Sequence, residues 1–183
     1  MKQSIANVWI LGLVISFILI FSAFIIITVN YNKVFKMKNT VLTIIEKHNG
    51  MTSKPADCGH SSEVGGGGSI CVGAGALQTI EVYLSGMAYT AKGACPTNDG
   101  WKGVTKIADS VGEVTGSYEE VGNNTNRDYY YCFKKSKSYN GKAAYYEVKL
   151  FFFMNLPIIG NFIPINVDGT TDDIYNAKDG IST

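Results

Sequence analysis

Four cysteines, two histidines and a few adjacent carboxylates are the side chains of this 183-residue chain whose types and spacing bear on chemistry. Cys58, Cys71, Cys95 and Cys132 form an even set. In a small domain such a set is the pattern of a disulfide framework formed in an oxidising compartment. Four cysteines allow three connectivities. Cys58–Cys71 with Cys95–Cys132 is favoured, and the alternative is four buried thiols in a cytosolic domain. Cys58-Gly59-His60 with Cys71 and Cys95 offers soft metal ligands, but the close CxxC or HxxxH pairs of structural zinc sites are absent from the sequence. Nucleophilic catalysis requires a base beside a cysteine or serine. His60 stands two residues from Cys58, too near in sequence to define such a pair, and His48 closes an amphipathic segment, where it reads as a helix-terminal charge or interface residue. GxSxG and HExxH do not occur. Glu119-Glu120 and Asp172-Asp173 are neighbours, so on a strand each pair splits across two faces and makes no acid/base dyad. Asp168 with Asp172 and Asp173 in DGTTDD lacks the spacing of an EF-hand and reads as a solvated turn. Gly65 to Gly68, then Gly73 and Gly75, lack the Gly-Lys-Ser/Thr or GxGxxG context of a phosphate cradle and read as a flexible loop. The expectation is a protein that is not an enzyme, with no catalytic, cofactor or metal site.

The element that must position everything else is Ile5 to Val29, IANVWILGLVISFILIFSAFIIITV, which contains no charge; Lys2 and Lys33 are the nearest. As a helix rising ~1.5 Å per residue, it is long enough to cross a hydrocarbon core of about 30 Å. Trp9 and Tyr31 suit the two interfaces. The run exceeds the apolar core of a cleaved signal peptide, so a retained anchor is expected over residues 1–30. From Asn30, the residues Val34, Met37, Val41, Ile44 or Ile45, and His48 recur at three- and four-residue steps and form one apolar stripe. Asn49-Gly50 is a stop signal. Residues 31–50 therefore continue the anchor as an amphipathic helix, and the stripe must bury against the chain's own sheet or a neighbouring copy.

Net charge is +1, which gives no ground for a nucleic-acid partner. Five lysines and one glutamate precede Asn49, whereas the remainder carries 11 basic and 14 acidic side chains. The basic charge thus sits beside the membrane, and the lipid bilayer is the first expected partner. The lysines after the span lean slightly towards a cytoplasmic C-terminus, and the cysteines lean the other way. The reading adopted is a single-pass protein of the cell membrane with its C-terminal domain extracytoplasmic.

Residues 51–78 read as a Gly-rich loop, 79–175 as a β-rich domain and 176–183 as a loose tail. Thr79 to Leu84 (TIEVYL) alternates like a strand. Arg127 to Lys135 and Ala143 to Met154 are aromatic and β-favouring, joined through SYNGK with the Asn-Gly of a tight hairpin. A last strand near Phe162 to Val167 carries Pro164, which implies an edge or a bulge. The runs YYY and FFF put aromatics on both faces of their strands, for core packing and for a partner or the membrane surface. The predicted fold class is α+β, a long N-terminal transmembrane and amphipathic helix followed by a small antiparallel β-sheet domain.

This plan resembles type IV pilins and pseudopilins. Leu150 to Tyr175, LFFFMNLPIIGNFIPINVDGTTDDIY, is similar to the C-terminal part of small single-span membrane proteins of Firmicutes that resemble TadE-like minor pilins. The pilin leader, Gly followed by a helix with Glu at its fifth position, has no counterpart: LVISF follows Gly12, and the first acidic residue is Glu46. The resemblance implies a structural subunit of a surface filament or its assembly complex, with further copies or other envelope proteins as partners. Val34, Met37, Val41 and Ile44 are then the expected assembly residues. The alternative is a membrane-tethered extracytoplasmic module that binds a ligand or protein.

Overall fold

The structure is a computed structural model and describes residues 2–52, 57–64, 68–72, 75–97, 100–107, 118–121, 127–138, 141–155, 162–175 and 177. The side chains of residues 2–7, 57–72, 154–155 and 162–163 lie outside that description, as does most of the expected tail. The fold is α+β, as expected: one long apolar N-terminal helix followed by a small antiparallel sheet.

Helix α1, Lys2–Lys47, runs unbroken for 46 residues, about 70 Å. Its end is the one the Asn-Gly pair predicts. Asn49 and Gly50 take positive φ (55° and 125°), and the Gly50 N–H donates to the Ile45 carbonyl at 2.9 Å, as in a Schellman close. The chain then enters a two-stranded antiparallel pair, β1 (Asp57–Val64) and β2 (Gly68–Val72), inside the stretch read as loop.

Residues Ala76–Gly86 form helix α2, which corrects the strand reading of Thr79 to Leu84. The alternation of TIEVYL is local; from Ala76 on, the buried apolar residues Ala76, Leu77, Ile80, Tyr83 and Leu84 follow the helical repeat. Thr52 starts this helix from the end of the α1 segment. Its hydroxyl accepts from the Ala76 N–H at 3.2 Å and its carbonyl from the Leu77 N–H at 3.1 Å. A Cβ at Gly75 would collide with Thr52, so the close approach requires glycine there.

The main sheet is antiparallel with strand order β4–β3–β5–β6–β7: β3 is Trp101–Val104, β4 Tyr118–Glu120, β5 Tyr131–Lys137, β6 Ala143–Asn155 and β7 Phe162–Thr170. A short β8, Ile174–Tyr175, pairs with Ala143 and Ala144 at the start of β6. The β5–β6 hairpin turns through Gly141 at φ +63°, and Pro164 sits on the edge strand β7. One face of the sheet, with Tyr131, Phe133, Tyr146, Val148 and Leu150, meets α1 and α2 in a single core. Gly169 on β7 lets α1 lie close, since a Cβ there would stand 3.0 Å from Leu42 and 2.9 Å from Lys38.

Candidate membrane interface and buried polar cluster

The N-terminal half of α1 is unlike the other described surfaces. From Val8 to Val29 every residue except Ala23 and Ile26 is exposed among the described residues. The helix is long and apolar enough to cross a membrane. Two of its polar side chains are satisfied within the helix: Ser22 Oγ donates to the Ile18 carbonyl at 2.8 Å and Thr28 Oγ1 to the Phe24 carbonyl at 2.9 Å. Internal satisfaction is what a bilayer demands of a spanning segment. The helix is consistent with a single membrane span.

The C-terminal half of α1 carries the stripe, and the structure decides what covers it. Val34, Met37, Val41, Leu42, Ile44 and Ile45 are all buried in the chain's own core. Of the two coverings expected for the stripe, the chain's own sheet or a neighbouring copy, the structure shows the first for Val34, Met37, Val41 and Ile44. Glu46 locks this end of the helix by accepting the Asp172 N–H at 3.0 Å.

Between α2 and β3 the chain passes through a gap in the sheet. Pairing of β5 with β6 ends at Tyr131–Leu150. Beyond that point the Tyr89 hydroxyl fills the place of a ladder bond. It accepts from the Phe151 N–H at 3.0 Å and donates to the carbonyl of Phe151 (2.7 Å) or Tyr130 (2.8 Å). Gly93 then pairs with Tyr129 against the Phe151 ring, where a Cβ would clash. Cys95 closes the wedge with a disulfide to Cys132, Cα atoms 5.7 Å apart. One of the two favoured disulfides is therefore present; the side chains of Cys58 and Cys71 lie outside the described residues.

Tyr89 and Tyr131 share the interior with Glu81, whose carboxylate is fully buried on α2. Burial holds the Tyr131 phenol well above the ordinary tyrosine range, and the charges of Glu81 and Tyr89 push it further. Burial also raises Tyr89, against a smaller opposing effect of its hydrogen bond to Phe151. An unfolded tyrosine loses its proton near pH 10. Above that pH the unfolded chain therefore binds fewer protons than the folded one, and stability falls as pH rises. It is fully present below pH 10 and should drop by ~1.4 kcal/mol per pH unit for each phenol still held neutral. Urea unfolding across alkaline pH, with phenolate absorbance recorded in parallel, checks this: two tyrosines should ionise only with unfolding, and hyperbolic ionisation of every tyrosine in the folded state would refute it.

Other residues singled out for chemistry are dispersed. His48 Nε2 lies 3.4 Å from Thr79 Oγ1, linking the end of α1 to α2. Asp168 pairs with Lys149 at 3.6 Å, and Asp173 accepts from Ser138 Oγ at 2.7 Å, so the DGTTDD carboxylates face different partners. Among the described residues no three His, Cys, Asp or Glu side chains gather into a metal-binding group. Glu81 was missed in the sequence, where the signal was a single acid among the apolar residues of TIEVYL. Compared with protein-family models, curated proteins and solved structures, the chain matches none.

Proposed function

We propose that the chain is a single-span, membrane-anchored structural subunit, pilin-like in plan, of a cell-surface filament or its assembly complex, with its domain on the extracytoplasmic side. The observation that carries this reading is the division of α1. One continuous helix has an uncovered apolar half and a half built into the core of the domain. The helix passes through Asn30 without a break, so the span and the core of the domain are built on one element. The disulfide between Cys95 and Cys132 supports an oxidising compartment.

Contacts between copies then fall on the uncovered half of α1. Cysteines introduced one at a time from Val8 to Val29 and oxidised in native membranes should give homotypic or partner adducts that recur every three to four positions, the mark of one helix face. Complete absence of adducts along this segment would remove the assembly reading.

A further inference from the structure

Helix α1 serves as a ruler for the domain, because its contacts with β6 and β7 fall in register. Glu46 meets Asp172, Lys38 and Leu42 flank Gly169, and Asn30, Lys33, Val34 and Met37 share a groove of about 210 Å³ with Phe152 and Phe153. Strand β7 thus runs beside α1 in the same direction, and β6 runs back towards the membrane end of the helix. Phe152 pairs with Ile165, and the hairpin ladder continues three pairs further, to Asn155 with Phe162. Three strand residues span ~10 Å, which α1 covers in about six to seven residues. The last pair of the ladder therefore lies level with the end of the apolar span near Val29.

The composition of the hairpin changes on the way to that level. Lys149 and Asp168 face each other across β6 and β7 at 3.6 Å, and no charged residue occurs in the sequence between them. Phe153, past this pair, is half exposed (51%), as are Phe35 (46%) and Tyr31 (59%) on α1. Lys38 Nζ stacks over Phe35 at 4.4 Å, and Lys33 lines the groove. Exposed aromatics with lysines beside them, at the level where a span ends, have the chemistry of a membrane–water interface.

We infer that the β6–β7 hairpin is a second membrane contact, resting at Phe153 in the headgroup layer of the leaflet from which α1 emerges. The inference depends on α1 being a membrane span. The occupant is the bilayer because the patch is continuous with that span. Contact is shallow: β7 is the edge strand among the described residues, and an edge backbone is excluded from the hydrocarbon. Two anchors of this kind fix the tilt and rotation of the domain over the membrane, which a lone span leaves free.

The test is tryptophan quenching in the full chain, reconstituted in phosphatidylcholine–phosphatidylglycerol vesicles whose lipids are brominated either near the carbonyl end or near the chain terminus. Trp9 and Trp101 are replaced by Phe, and one reporter is placed by Phe153→Trp or, at the opposite end of β6, by Tyr175→Trp, where the native side chain is 70% exposed. Shallow bromine should remove roughly half of the emission at position 153 and deep bromine much less, with position 175 unaffected. A variant retaining Trp9 alone reports the span. If Trp9 is quenched while position 153 behaves like position 175, the hairpin contact is overturned and the span stands. If Trp9 is not quenched, both fall. Should Phe153→Trp fail to fold, Pro164→Trp on the paired strand reads the same level.

Discussion

Deleting residues 1–30 should leave a folded domain, and deleting residues 1–50 should leave a chain that does not fold. The first cut removes Asn30 from the rim of the groove and otherwise takes residues that contribute nothing to the described core. The second removes Val34, Met37, Val41, Leu42, Ile44 and Ile45, which are buried against α2 and the sheet. At ~1.5–3 kcal/mol for each buried apolar side chain, the loss is on the order of 10 kcal/mol. Net stabilities of domains this size are only about 5–15 kcal/mol. The second cut also strips the cap contributed by Glu46 to the β7–β8 turn, and it exposes the Gly169 face of β7, which α1 approaches closely. Near-ultraviolet circular dichroism and cooperative urea unfolding distinguish the two fragments. A cooperative transition in the shorter one would show that the sheet and α2 suffice as a core and that the C-terminal half of α1 is an accessory, which would also free its stripe for a partner.

The parts of this fold that were legible in the sequence are those governed by short-range pattern. An uncharged run from Ile5 to Val29, a three- and four-residue apolar repeat after it and Asn49-Gly50 at its end each act locally, and together they specify α1 almost to the residue. The β5–β6 hairpin was legible for the same reason, since Asn-Gly at its turn and aromatic alternation on its arms need no distant partner. What escaped depends on contacts across the chain. Helix α2 contains a window, Thr79 to Leu84, that alternates as well as any strand, and it becomes helical because Thr52, 24 residues from Ala76, supplies its first acceptors. The stripe on α1 announced that it would be buried without saying against what. Only the sheet order, with β6 and β7 at the helix, shows that this surface is used internally. Glu81 reads as an unremarkable acid until the fold buries it and brings Tyr131 from another element within reach of its charge. The candidate interface divides likewise. The span could be read from composition, whereas the height of Phe153 along α1 emerges only once the strands are registered against the helix.

Removing the Cys95–Cys132 disulfide should have the next largest effect. The bridge closes a sequence separation of 37 residues, for which the chain-entropy model gives ~4 kcal/mol. Its position increases the consequence. Cys132 lies on the central strand β5 and Cys95 at the end of the wedge that fills the gap between β5 and β6, both of them buried. Without the bridge, the wedge is held by the Gly93–Tyr129 pairing and the Tyr89 hydroxyl. Opening it would leave the Phe151 N–H and the Tyr130 carbonyl without partners inside the domain, at about 1–3 kcal/mol each. The double variant Cys95→Ala, Cys132→Ala, compared in the fragment lacking residues 1–30, should therefore unfold with ~4 kcal/mol less stability. Amide exchange at Gly93, Tyr129 and Phe151 should accelerate well before the rest of the sheet opens. Equal acceleration throughout the sheet would mean that the bridge acts only on the unfolded chain. An unchanged urea midpoint would show that packing alone seats the wedge, and the disulfide would then be a marker of the compartment in which the domain resides.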